Sequence, residues 1–379
     1  MTNVAVHKGL DNIFIKHTAL SNIEGDKGRL YYLGYPIEEL AEYSTYEEVC
    51  FLLLNRRLPT KSELQDFARK LRKERNVPEN VLKIIKELPR DAPMVSVLRA
   101  SLDILSLYDG DAERNDVQAW MNVAVRIISK IATLVAAVYR LKKGLEPVDP
   151  NPSLSHSANF LYMSTGRLPT PLESKVMDVG FILHAEHELP ASSTAALVVA
   201  STLSDLYSAI SAGVSALKGP LHGGANERAL EMLLEIGSPE KAEDYVDQQL
   251  SAGKKIMGFG HRVYKTFDPR AVIFKRYLEL LSDAKKDYRF LHLANKLEEA
   301  VVRALGSKSV FPNIDLYSGP VFHLLGLEKE IFTPMFAAAR SVGWIAHVLE
   351  YWEDNRLIRP RAVYVGPAPR RYVSLNERL

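Results

Sequence analysis

Apolar residues recur at a helical period along most of this chain. The stretches 78–89 (PENVLKIIKELP), 93–110 (PMVSVLRASLDILSLYDG), 117–144 (VQAWMNVAVRIISKIATLVAAVYRLKKG) and 192–213 (SSTAALVVASTLSDLYSAISAG) each carry an apolar face of helix length. Polar punctuation marks where helices begin and end. Thr60 followed by Glu63 forms a capping-box pattern ahead of a charged, helix-period run over 58–76. Ser238 and Pro239 open a helix that Gly253 stops, and Asp268 before Pro269 opens another. Only residues 18–41 read differently. There Gly25, Asp26 and Gly28 separate short β-prone stretches, which predicts a small hairpin. No strand–helix–strand alternation and no repeat of fixed period is present, so a doubly wound sheet and a solenoid are both disfavoured. The expected fold is all-α and multi-helical, with one small N-terminal β-hairpin.

Composition narrows the possibilities without choosing among them. A chain of 379 residues, 47% hydrophobic and 25% charged, can bury a large core and is long enough for two or three domains. A net charge of +2 gives no global reason to bind nucleic acid or a membrane surface. The single cysteine, Cys50, removes disulfides and cysteine-rich zinc sites and suits a reducing compartment. The N-terminal twenty residues lack a signal-peptide core, and no run reads as long enough to span a bilayer, so a cytoplasmic location is expected. Four glutamines in the whole chain lean towards a thermophilic source.

Candidate chemistry concentrates in a few stretches. LHAEHELPAS (183–192) spaces His184 and His187 three apart beside Glu186 and Glu188, which raises the question of a metal site. Zinc needs three or four ligands, Pro190 limits the helix that would carry the pair, and no further His/Cys pair completes the set. GFGHRV supplies Gly258 and Gly260 but lacks the third glycine and the strand of a dinucleotide site. In GPLHGGANERAL (219–230), His222 precedes a helix with small first residues, whose free N–H groups allow a close approach; a turn that happens to contain a histidine explains the same residues.

Taken together and in order, LHAEHE, GPLHGGANE, GFGHRVYKTFDPR, PNIDLYSG and ARSVGWIAHVLEY…RLIRPR resemble the motifs of citrate synthases, as does the opening GRLYYLGYPIEELA. The likeness runs from about residue 18 to residue 372, and the short chain is similar to the archaeal and Gram-positive-type enzymes. The resemblance implies condensation of acetyl-CoA with oxaloacetate and hydrolysis of citryl-CoA to citrate and CoA. A 2-methylcitrate synthase using propionyl-CoA is the alternative, because one methylene in an apolar pocket discriminates by only about 1–3 kcal/mol. By motif match, Asp315 is the base, His222 the donor to the forming enolate, and His261 the group polarising the ketone. His187, His222, Arg270, Arg340 and Arg359 would hold oxaloacetate, with His184 in a packing role and no metal. Arg356 and Arg361 flank Arg359 as surface charges, Arg361 close enough to lie near the site. Lys255, Ile256, Met257, Gly258, Phe259, Arg262, Lys265 and Lys308 are the candidate contacts to CoA, which is a co-substrate and not a permanently bound cofactor; each lysine is equally well read as a solvated surface charge. Asp315 is also a candidate helix N-cap. The family resemblance further implies a large domain (1–222), a small domain (223–323), a return to the large domain (324–379), closure between them, and a homodimer sharing Arg359 across subunits.

Overall fold

The structure, a computed structural model, describes residues 5–10 and 13–378; the outer limits of the domain division, residues 1 and 379, lie outside it. Among the described residues there are sixteen α-helices and one antiparallel sheet of three short strands, Ser21–Glu24, Arg29–Tyr32 and Tyr35–Pro36. The expected hairpin is therefore the first two strands, paired Ser21 with Tyr32 through Glu24 with Arg29, extended by a two-residue third strand.

Two long helices form the centre. Val117–Lys142 starts at Asp116, whose side chain accepts a hydrogen bond from the Ala119 amide, and is buried along most of its length. It packs on Phe332–Trp352, which also touches the helices Tyr46–Asn55, Pro171–Ala185, Ala191–Ala200 and Leu206–Leu217. Trp344 fits there fully buried because Gly213 opposite has no side chain; a Cβ on Gly213 would come within 3.0 Å of the indole. A second group of helices, Ala225–Ile236, Ala242–Ser251, Pro269–Lys285, Arg289–Leu305 and Ile314–Leu324, packs together beside it.

Three sequence expectations need correction. The 192–213 stretch is two helices, Ala191–Ala200 and Leu206–Leu217, broken by a turn in which Leu203 has φ 61°. The turn forms because Ser201 and Thr202 return their hydroxyls to Val198 and Val199 carbonyls, while Asp205 caps the next helix by accepting from Ser208 N. Ser238 opens a short 3₁₀ turn, Pro239–Lys241, without a side-chain cap, and the helix proper begins at Ala242. Finally, Val117–Lys142 is by length and composition able to cross a membrane, with a mean hydropathy of 1.7 over its most apolar window. In this fold 83% of that window is buried against protein, which accounts for its apolar character.

Candidate active site

The histidine segment 184–187 lies where the helix Pro171–Ala185 ends, so His184 and His187 do not share a helical face. His184 packs among Phe274, Phe322 and Phe336, its Nδ1 2.7 Å from Gly180 O, and burial drives its pKa down to about 3. His187 points elsewhere, with Nε2 3.1 Å from the Tyr264 hydroxyl and its ring centroid 5.3 Å from that of His261. Among the described residues no group of three His, Cys, Asp or Glu side chains is arranged to hold a metal ion.

The helix Phe332–Trp352 cradles this segment with three residues spaced i, i+3, i+7. Arg340 Nε donates to His184 O at 2.5 Å, Gly343 lets Ala185 O approach its backbone, and His347 Nε2 sits 2.9 Å from Glu186 Oε1. Glu186 is fully buried. Burial pushes its pKa up, but His347, Arg340 and the Ser21 hydroxyl together outweigh that and hold it below the ordinary carboxylate range.

A cavity of about 170 Å³ opens beside these residues and gathers His187, His222, His261, Arg270, Asp315 and Arg340 on its walls. Six of the residues expected at the site, drawn from across more than 150 positions of sequence, thus meet around one space.

The hydrogen bonds of two of these histidines determine where their protons sit. A backbone N–H can only donate, so the His222 Nε2 that receives Ser192 N at 3.2 Å is an acceptor. Ser192 Oγ, 2.7 Å from the same nitrogen, accepts from Trp344 Nε1 and so turns its proton to the ring. The neutral imidazole then carries its one proton on Nδ1. Burial, reinforced by Arg340, lowers the His222 pKa to about 4. The helix acting on this ring is not the one that follows His222 in sequence, which begins only at Ala225 after Gly224 (φ 70°). It is Ala191–Ala200, whose second residue supplies the N–H. His261 is the mirror case: Nδ1 accepts from the amides of Val263 (3.0 Å) and Tyr264 (3.2 Å), leaving the proton on Nε2. Burial and the neighbouring Arg270 bring its pKa to about 4.

The charged groups are equally defined. Arg270 lies in the first turn of the helix Pro269–Lys285 and grips that helix's N-cap, Asp268, through Nε (3.0 Å) and one terminal nitrogen (2.8 Å). Burial opposes its charge, yet Asp268 foremost restores it and its pKa is raised. Arg340, 1% exposed, uses only Nε on protein, and burial lowers its pKa to about 10. Asp315 is not the N-cap of its helix. Asn313 takes that role, accepting from Asp315 N at 2.9 Å, which leaves the Asp315 carboxyl group without a hydrogen bond from the described residues. Desolvation in the cleft, only partly relieved by Arg270, pushes its pKa up to about 6.

The loop around His261 is held to the Asp315 helix start by Gly260 N to Phe311 O (2.8 Å) and by Asn313 N to Gly258 O (2.9 Å). Gly258 has φ 80°, and a Cβ there would meet Leu316 at 2.9 Å, so only glycine fits. Lys255, Met257, Phe259, Arg262 and Lys265 lie along this loop outside the cavity, and Lys308 is exposed on the neighbouring 3₁₀ turn Gly306–Lys308; the Ile256 side chain is buried in the core. Arg359 is exposed on the extended tail that follows Trp352 and does not line the cavity, nor do Arg356 and Arg361. Sequence reading did not single out Ser192, Trp344, Tyr264, Asn313 or His347, and took Glu186 only as a neighbour in a possible metal site. Each works through a contact made far along the chain, and only Asp268 had a local signal, its position before Pro269.

The sequence profile described as "Citrate synthase, C-terminal domain" matches residues 9–361. The citrate synthase of Saccharolobus solfataricus is 47% identical over 378 residues, covering 98% of this chain and 99% of that one. Among solved structures, citrate synthase from Pyrobaculum aerophilum superposes with a TM-score of 0.92 at 45% identity, covering 98% of this chain and 95% of the other. A ternary complex of carboxymethyl coenzyme A and oxaloacetate with citrate synthase from Thermoplasma acidophilum matches with a TM-score of 0.92 at 41% identity, covering 99% and 100%.

Proposed function

The chain belongs to the citrate synthase family, and we propose that it condenses acetyl-CoA with oxaloacetate and hydrolyses the product to citrate and CoA. The observation that carries this reading is one cavity lined by an unpaired carboxyl group of raised pKa and by two neutral histidines, each with a single donor. Taking a proton from the methyl carbon of a thioester demands that negative charge on the carbonyl oxygen be stabilised as it forms. Asp315 accepts that proton. Its desolvated carboxylate is a stronger base than one in water, and its ionised form still predominates at neutral pH. His222 donates from Nδ1 to the thioester oxygen; a neutral donor leaves the enolate nucleophilic. His261 donates from Nε2 to the ketone of oxaloacetate and makes its carbon electrophilic. The two carboxylates of oxaloacetate are matched by His187, by the one unengaged nitrogen of Arg270 and by the terminal nitrogens of Arg340.

The remaining parts of the reading complete this site. Arg359 serves the partner subunit of a homodimer, a role supported by its place on an exposed tail that also presents Tyr364, Val365, Tyr372 and Leu375 to solvent. Residues 223–323 form the smaller domain, which closes on 1–222 and 324–379 around the bound substrates and shields the reaction from water. The exposed Lys255, Lys265 and Lys308, with Arg262 and the backbone of 255–259, border the CoA phosphates and adenine. A cytoplasmic setting follows from the reaction's soluble substrates, and thermophily from the scarcity of glutamine.

Free-thiol release from acetyl-CoA, measured with and without oxaloacetate, tests the activity. Release that depends on oxaloacetate, with citrate as product, is expected; none with both substrates present sinks the reading. Propionyl-CoA run in parallel measures the 2-methylcitrate alternative.

A further inference from the structure

We propose that the N-terminal hairpin is a positioning element of this site, setting the His187 segment and the His261 loop against each other. The inference rests on the catalytic reading above. Its observation is that one small sheet holds both histidine-bearing segments at once, through different residues.

On one side, the hairpin holds the chain around His187. Ser21 Oγ donates to Glu186 Oε1 at 2.9 Å and accepts from Glu188 N at 3.1 Å. The Tyr32 hydroxyl donates towards Glu186 O at 2.8 Å and accepts from Glu186 N at 3.2 Å. The Glu188 carboxylate accepts from the backbone of Ile23. His187 is thus bracketed by two residues that the hairpin grips. Glu188 has φ 58°, a conformation that a non-glycine residue keeps only when its surroundings impose it.

On the other side, the turn between the first two strands meets the loop that carries His261. Lys265 N donates to Gly25 O at 3.0 Å. A Cβ on Gly25 would overlap the Val263 carbonyl oxygen, and one on Gly28 would lie 2.6 Å from Phe267 O. The Val263 carbonyl shares its peptide unit with Tyr264 N, one of the two amides that hold His261 Nδ1, so the turn bears directly on a peptide that orients that ring. The loop's far side is packed by Phe311 against Phe267, with ring centroids 4.8 Å apart. Displacing the turn would therefore move His261 relative to His187 while leaving its link to Asp315 intact.

Two glycines of the small sheet's turns separate this role from ordinary stability. Gly25 does not have a positive φ, so alanine suits its backbone and only the contact with Val263 forbids it. Gly34 has φ 85° and nothing within 4 Å, so alanine there strains the hairpin but touches no part of the site. With steady-state kinetics and thermal melts on the full-length protein, Gly25→Ala is expected to raise KM for oxaloacetate at least about tenfold and to lower kcat. KM for acetyl-CoA and the ligand-free Tm should change little. Gly34→Ala is expected to lower Tm and to keep both constants for oxaloacetate within about twofold. Gly25→Ala kinetics within twofold of wild type, or a loss of activity in both variants that tracks loss of Tm, overturns the proposal. If Gly25→Ala does not fold, Ser21→Ala decides: KM for oxaloacetate rising at least about threefold supports the role, since one lost hydrogen bond to a charged group is worth that much or more, and an unchanged KM refutes it. A wild-type protein without oxaloacetate-dependent thiol release would sink the catalytic reading and this inference together, whereas normal wild-type kinetics with normal variants sinks this inference alone.

Discussion

Replacing Asp315 by asparagine keeps the shape of the side chain and removes its charge, so it separates what the cleft asks of this residue from what folding asks. In the folded chain the carboxyl group titrates near 6, against an ordinary value of 3.8. Because the folded-state value is the higher one, the folded protein holds its proton more tightly than the unfolded chain does. The ionised carboxylate therefore costs nothing below about pH 4, progressively more between 4 and 6, and a constant amount above that. The gap corresponds to about 3 kcal/mol if fully realised. Asp315 is half-buried and faces an open cavity, so water at the mouth screens part of this and about 1–3 kcal/mol is the realistic range. For a chain of 379 residues that is a rise of about 1–4 °C in Tm. Thermal melts of wild type and Asp315→Asn at pH 7.5 and near pH 4 should show the variant more stable at the higher pH and equal at the lower. Turnover should meanwhile fall by a factor of about 10²–10⁴, with oxaloacetate affinity little changed. An asparagine variant that is no more stable at pH 7.5 refutes the desolvation argument; one that retains near-normal turnover removes Asp315 as the base.

Three further outcomes follow from the same geometry. The pH profile of kcat/KM should fall below about pH 6 as Asp315 takes up a proton, with a limiting slope of one, because His222 and His261 near 4 stay neutral throughout that range; a profile flat down to pH 5 contradicts it. Gly343→Ala places a Cβ against Ala185 O and 2.5 Å from Glu186 Oε2, so stability should drop by about 1–3 kcal/mol and KM for oxaloacetate should rise, both read from melts and kinetics. Mixing inactive Asp315→Ala and Arg359→Ala proteins under subunit exchange should restore roughly a quarter of wild-type sites if Arg359 serves its partner in a two-fold dimer, and none, after confirmed exchange, if it serves its own chain.

Much of the fold was legible because helices announce themselves locally. Thr60 and Glu63 do form a capping box, Asp268 does cap the helix that starts at Pro269, and the apolar period of Val117–Lys142 does belong to a buried helix. These signals act over three or four residues, which is the range of a cap or a helical turn. Where two local signals competed, as at Ser201–Asp205, the apolar run hid a break that the hydroxyl and carboxylate caps had already specified.

The sequence by itself also determined which side chains were available for chemistry: three histidines, an aspartate and the arginines, in an order resembling one family. Their protonation states it could not determine. Whether His222 carries its proton on Nδ1 depends on an amide thirty residues away, and whether Asp315 titrates near 4 or near 6 depends on how much water the walls of the cleft admit. The hairpin makes the same point at longer range. Gly25 reads in the sequence as a turn residue and nothing more, because its meaning lies in the carbonyl of Val263, which only the folded chain brings against it. Local propensity is set by neighbours along the chain, whereas tautomer, desolvation and close approach are set by neighbours in space, and those exist only once the chain has packed.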